Sequence, residues 1–226
     1  MKLVIFDCDG TLVDSQNAIC GAMEHAFGGL GLAVPSRPQV LSVVGLSLPE
    51  AFAVLAPGAT KAVREQLSQR HKGAFPHGQL AVPERDPLFP GAKAVVEALG
   101  RHRDIALGIA TGKSRRGVQR LFDQEGWHDF FATVQTADDH PSKPDPSMIH
   151  AAMAETGTDT TTTIMIGDTT YDIDMGRNAG VATVGVAWGY HETADLTTSG
   201  ADAIVQRFDE LPAAIERLIG ARERDR

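Results

Sequence analysis

The chain has 226 residues, 42% of them apolar and 22% charged, with a net charge of −8. That composition supports a buried core, and an acidic balance without a Lys/Arg-rich block argues against a nucleic-acid or anionic-membrane partner. No apolar run reaches the ~18 residues of a membrane span, Asp7 interrupts the first apolar run too early for a signal peptide, and Cys8 and Cys20 are too few for a disulfide framework, so a reduced, cytoplasmic setting is expected.

Leu3-Val4-Ile5-Phe6 reads as a short buried strand that runs into Asp7-Cys8-Asp9-Gly10-Thr11. Alternation sends i and i+2 of an extended segment to one face, so Asp7 and Asp9 share a side. Like charges that close call for a cation or a shared proton; the alternative is turn chemistry ahead of Gly10. Cys8 is expected to be a small core residue rather than a redox group.

Ser15 is expected to cap a helix running to about residue 30, with Ile19, Ala22, Met23, Ala26, Phe27 and Leu30 as one apolar stripe. Residues 35–38 break that pattern with two prolines. Ser47 or Leu48 ahead of Pro49 opens a further helix that continues over 51–55, and 60–72 reads as another. No strand pattern appears between residues 15 and 82. Residues 16–82 therefore read as an all-helical insert between core segments 1–15 and 83–226. The Pro-rich stretch 82–91 has the composition of a linker or hinge.

Beyond it, helices and strands alternate. Strands are expected over 105–110, 131–134, 163–166, 181–186 and 203–205, and helices over 92–99, from Ser114 through Phe122, and over 146–156, 172–179 and 211–219. Unbroken apolar strands each followed by a helix imply a parallel sheet covered on both faces. Ligands then bind outside the carboxyl ends of the strands.

Three later segments place polar groups at that edge. Thr111-Gly112-Lys113-Ser114 joins a hydroxyl and a glycine to a helix N-terminus, whose first N–H groups suit an anion. In Pro141-Ser142-Lys143-Pro144 the prolines restrict the backbone and aim Lys143. In Gly167-Asp168-Thr169-Thr170-Tyr171-Asp172 the two acids share a helix face, while Asp174 reads as a surface residue. Hard oxygen ligands without a His/Cys set suit Mg²⁺ rather than Zn²⁺. Carboxylates, a hydroxyl and a lysine together point to phosphoryl transfer.

These motifs closely resemble those of the haloacid dehalogenase superfamily of phosphohydrolases. Asp7-Cys8-Asp9-Gly10-Thr11 is similar to its D-x-D-G-T motif and Ala110-Thr111-Gly112 to its hydroxyl motif; Ser142-Lys143-Pro144 resembles the third and Gly167-Asp168 to Asp172 the fourth. The resemblance covers essentially the whole chain and is nearest to phosphoglycolate phosphatases. It implies a Rossmann-like, doubly wound α/β core with a small helical cap. It also implies Asp7 as nucleophile, Asp9 as acid and base, and Thr111, Gly112 and Lys143 on the phosphoryl group. Mg²⁺ would sit on Asp7, the backbone carbonyl of Asp9, and Asp168, with Asp172 orienting ligands or water and Asp14 in a hinge or hydrogen-bonding role. The implied substrate is a small phosphate ester such as phosphoglycolate. A hexose phosphate mutase of the β-phosphoglucomutase type and a non-catalytic binding module are the competing readings. Specificity is expected in the cap, at 45–48 and 69–72, with Arg70 or Lys72 as candidate contacts for a substrate carboxylate.

Overall fold

Val4, Phe6 and Cys8 project into one buried apolar cluster, and Leu3 and Ile5 into a second on the opposite side. That alternation makes the first strand the centre of a sheet buried on both faces. In the computed structural model, which describes residues 1–74 and 87–224, the strands are β1 (Lys2–Phe6), β2 (Ile105–Thr111), β3 (Phe131–Thr136), β4 (Thr163–Gly167), β5 (Ala182–Val186) and β6 (Ala203–Val205). They form one parallel sheet in the order β3-β2-β1-β4-β5-β6. The chain winds outward from β1 on one side, then returns to add β4 on the other. The carboxyl ends of β1 and β4 therefore flank the switch point of the winding, where such sheets bind ligands.

Before β2, the helices are α1 (Gln16–Gly28), α2 (Arg37–Leu41), α3 (Leu48–Leu55), α4 (Lys61–Ala74) and α5 (Ala92–Gly100). After it come α6 (Arg115–Glu125), α7 (Ser147–Thr156), α8 (Thr170–Asn178), α9 (Thr193–Thr198) and α10 (Leu211–Arg224). Helices α5, α6 and α10 cover one face of the sheet through Val96, Leu121 and Ile215. Helices α7 and α8 cover the other through Met148, Ile149 and Met175. The first four helices enclose their own core of Met23, Ala26, Phe27, Val40, Phe52 and Leu67.

Several expectations shift locally. Ser15 occupies the position before α1, but its side chain makes no capping bond; its hydroxyl is drawn to Asp9 instead. The segment 35–38 does not only break helix: Ser36 and Gln39 form a capping box that starts α2, with Pro38 in its first turn. Helix α8 begins earlier than 172, because Thr169 caps it and Asp172 closes the box. The short α9 was not expected, since Leu196 is its sole buried residue and leaves no stripe to read. The insert boundary expected at 82/83 lies outside the described residues.

Where the chain leaves the sheet and re-enters it, the two passages run side by side. Val13 bridges Leu88 in antiparallel fashion, and the Asp14 N–H donates to Pro87 O at 2.8 Å. The Asp14 carboxylate accepts from Gln16 Nε2 at 2.9 Å, at the first residue of α1.

An insert with its own small core should unfold separately. Phe52→Ala removes a fully buried ring and should cost about 3–5 kcal/mol. Native-state hydrogen exchange should show α1, α3 and α4 losing protection while β1 and β4 keep theirs.

Candidate active site

Adjacency of β1 and β4 sets the site. Phe6 pairs with Ile166, and the Asp7 N–H donates to Ile166 O at 3.0 Å, so Asp7 and Asp168 emerge together. Asp172 joins them from the first turn of α8. Oxygens of Asp7, Asp168 and Asp172 lie within 4.8 Å of one another, and all three residues are buried. Lys143, also buried, reaches in with Nζ 2.9 Å from Asp7 Oδ1 and 2.6 Å from Asp172 Oδ1.

The other donors are unevenly distributed. Asp172 Oδ2 accepts from the Thr169 N–H at 3.0 Å and hydroxyl at 2.7 Å. Asp168 Oδ1 accepts from Thr11 Oγ1 at 2.7 Å, and Oδ2 from the Tyr190 N–H at 2.9 Å. Asp7 has its ionic contact with Lys143, yet neither of its oxygens has a partner in hydrogen-bond geometry. Gly10, at φ +89°, leaves room for the Asp168 carboxylate, which any Cβ there would overlap.

Three carboxylates against one ammonium leave two negative charges in a dry site. Burial and, less strongly, Asp172 raise Asp7 to about 6 against the opposing pull of Lys143. Burial, then Asp172 and Asp7, hold Asp168 well above its ordinary value. Burial alone would lower Lys143, but the carboxylates of Asp172 and Asp7 outweigh it and keep the ammonium charged. A hard dication fits this set: it matches the excess charge and gives Asp7 Oδ2, which has no described partner, a contact.

Asp9 faces the same cavity as Asp7 but has different partners. Its Oδ1 accepts from Ser15 Oγ at 2.6 Å and from Lys113 Nζ at 2.6 Å. Cys8 between them turns into the apolar core, where burial pushes its thiol up and leaves it inert. Thr111 is buried at the end of β2 and its Oγ1 accepts from the Lys113 N–H at 3.1 Å. Ser114 caps α6 by accepting from the Gly117 N–H at 3.2 Å. Asp174, on α8, is half-buried and outside the carboxylate cluster.

The segment between α2 and α3 packs over this edge. Gly112 lies under the carbonyls of Gly45 and Leu46, which a Cβ would strike. The Ser47 N–H donates to Ser142 Oγ at 2.8 Å, and the Tyr171 hydroxyl donates to Ser42 O at 3.1 Å. Between insert and sheet lies a cavity of about 710 Å³, lined by Asp7, Asp9, Thr111 and Lys113 and, from the insert, by Met23, Val40, His71 and Lys72. Burial pushes His71 down to about 4, so it borders the cavity as a neutral imidazole. Arg70 is a correction: it lies against Gly29 at the end of α1, whereas Lys72 lines the cavity.

Sequence reasoning missed Lys113, Ser15 and the segment Trp188-Gly189-Tyr190. Trp188 Nε1 donates to Thr11 O at 3.0 Å, and the Tyr190 hydroxyl accepts from the Ser15 N–H at 3.0 Å. A signal was present, because this aromatic pair follows β5 and so stands at a carboxyl strand end like the other motifs.

A sequence profile described as haloacid dehalogenase-like hydrolase matches residues 4–186. The chain is 35% identical over 221 residues to a probable phosphatase, IndB, of Dickeya dadantii (strain 3937), covering 96% of this chain and 94% of that one. It is 31% identical over 212 residues to the pyrophosphatase PpaX of Oceanobacillus iheyensis, covering 93% and 95%. A solved haloacid dehalogenase-like family hydrolase from Streptococcus pneumoniae superposes with a TM-score of 0.80 at 26% identity, covering 95% and 98%.

The raised Asp7 has a measurable sign. Without metal, the folded state holds this proton more tightly than the unfolded chain, whose value is 3.8, so stability falls as pH rises from there through about 6. Asp7→Asn imitates the protonated form. In EDTA its Tm should match wild type near pH 4 and exceed it by several degrees at pH 7, at about 2–4 °C per kcal/mol. Adding Mg²⁺ at pH 7 should raise wild type more than the variant.

Proposed function

The chain belongs to the haloacid dehalogenase-like hydrolases, and we propose that within them it is a Mg²⁺-dependent phosphomonoesterase. It would act on a small organic phosphate, of which phosphoglycolate is the type, through an aspartyl-phosphate. The observation that carries this reading is Asp7 itself, a buried carboxylate facing the cavity, with Oδ1 2.9 Å from the Lys143 ammonium and Oδ2 in no described hydrogen bond or ion pair. Its lone pairs are available to a phosphorus atom.

One Asp7 oxygen bonds to phosphorus as the bond from phosphorus to the ester oxygen breaks, and Asp9 delivers a proton to that leaving oxygen. Ser15 and Lys113 hold Asp9 toward the cavity for this task. Thr111 accepts a backbone N–H, so its own O–H remains to donate to a phosphoryl oxygen. Lys143 adds positive charge beside it, and the Gly112 backbone allows close approach. Water then attacks phosphorus, gives a proton to Asp9, and releases inorganic phosphate with Asp7 restored. Asp7, Asp168 and the Asp9 carbonyl would hold Mg²⁺, which supplies positive charge to the transferring oxygens. Asp172 positions Lys143.

The segment 16–82 serves as the cap. A small-molecule substrate rather than a nucleic acid suits a cavity of about 710 Å³ in a chain of net charge −8. A reducing cytoplasm suits two free cysteines. No described helix is long and apolar enough to cross a membrane.

Asp7→Asn should lower kcat on an aryl phosphate by at least about 1,000-fold, and wild-type turnover in that variant would remove the nucleophile assignment. With a hexose phosphate as substrate, phosphate release should outrun isomer interconversion; the reverse result would make the enzyme a mutase.

A further inference from the structure

One wall of the cavity is not used by the steps above. On the first turn of α6, Arg115 points outward, with Nη2 2.6 Å from Asp139 Oδ2. Arg116 and Arg120, one turn apart on another face of the helix, line the cavity. Among the described residues neither makes an ion pair or a side-chain hydrogen bond. Lys72 faces the same space from α4, also without a described carboxylate partner. Asp138 lines the cavity too, but its Oδ2 is taken by the Arg115 N–H at 2.8 Å. Apart from His71, Lys72 and Ser47, the residues that line the cavity from this side are mainly apolar, among them Ile19, Met23, Val40, Val43 and Val44.

In a chain of net charge −8, three cations around one cavity with no partner among the described residues are a recognition feature in search of an anion. Guanidinium forks bind carboxylate and phosphate oxygens in pairs. In the reading above, the transferring phosphoryl group would be held by Thr111, Lys143 and Mg²⁺. Arg120 lies about 6 Å further along the helix axis than Arg116, leading away from Thr111. A cavity of about 710 Å³ also falls among those that enclose a whole small ligand, roughly 300–1,000 Å³.

We propose that Arg116 and Arg120, with Lys72 opposite, form a subsite for a second anion at the far end of the leaving group. The preferred substrates are then phosphate esters or anhydrides that carry a distal carboxylate or phosphoryl group, and Met23 and Val40 contact the body between the two anions. This rests on the phosphomonoesterase reading.

The test compares phenyl phosphate, 4-carboxyphenyl phosphate, phosphoglycolate and pyrophosphate, each ranked by kcat/KM. At least one anion-bearing compound should exceed phenyl phosphate by about 10-fold or more, chiefly through KM. In an Arg116→Gln, Arg120→Gln variant with an unchanged melting curve, that preference should fall to within about 2-fold, and Arg120→Lys should retain part of it. Which of the three leads identifies the distal group. A preference that survives in the double variant, or turnover of phenyl phosphate with no preference in wild type, overturns the subsite alone. No turnover of any compound overturns the phosphomonoesterase reading and the subsite with it.

Discussion

Lys143 Nζ lies 2.9 Å from Asp7 and 2.6 Å from Asp172, in a site where all three side chains are essentially sealed from solvent. A buried ammonium without these carboxylates, or these carboxylates without it, would cost several kcal/mol. The pairing still leaves Asp168 and one further negative charge uncompensated. Much of the surrounding architecture can be understood as the means of holding that imbalance in place. Thr11 and the Tyr190 N–H secure Asp168, the Thr169 cap secures Asp172, and the β1–β4 ladder secures Asp7. Asp7 is held on one side only, by the Lys143 ammonium at Oδ1, and it faces the cavity.

The insert is tied to the same groups through their neighbours. Its backbone meets Gly112 beside Thr111, Ser142 beside Lys143, and Tyr171 beside Asp172. The contacts with Ser142 and Tyr171 fall next to residues of the site, and that with Gly112 on the site's own backbone. The antiparallel passage at Val13 and Leu88 brings both connections to one place, which suits a hinge.

The fold class was legible because parallel strands buried on both faces are continuous apolar runs, as at Leu3-Val4-Ile5-Phe6 and Thr163-Ile164-Met165-Ile166. The strand-end rule then gathered Asp7, Thr111, Lys143 and Asp168 without any contact being known. Where the reading slipped, a tertiary contact had overruled a local preference. Ser15 is a good helix cap by type, yet a carboxylate 2.6 Å away took its hydroxyl. Lys113 looked like an ordinary lysine in a capping segment, and only the meeting of β2 with β1 sets its ammonium on Asp9. Arg70 and Lys72 were equivalent on paper; the rotation of α4 sends one to α1 and the other to the cavity.

What this sequence determined by itself was the chemistry: an acidic pair at a strand end, a hydroxyl, a proline-framed lysine and a second acidic pair. Those choices are encoded within a few residues, by periodicity and by spacing. The tertiary structure alone decided which oxygen of each carboxylate has a partner, and that two arginines of α6 and a lysine of α4 face one cavity. Such facts join residues far apart in the chain, and they depend on strand register and helix rotation, which no local pattern specifies.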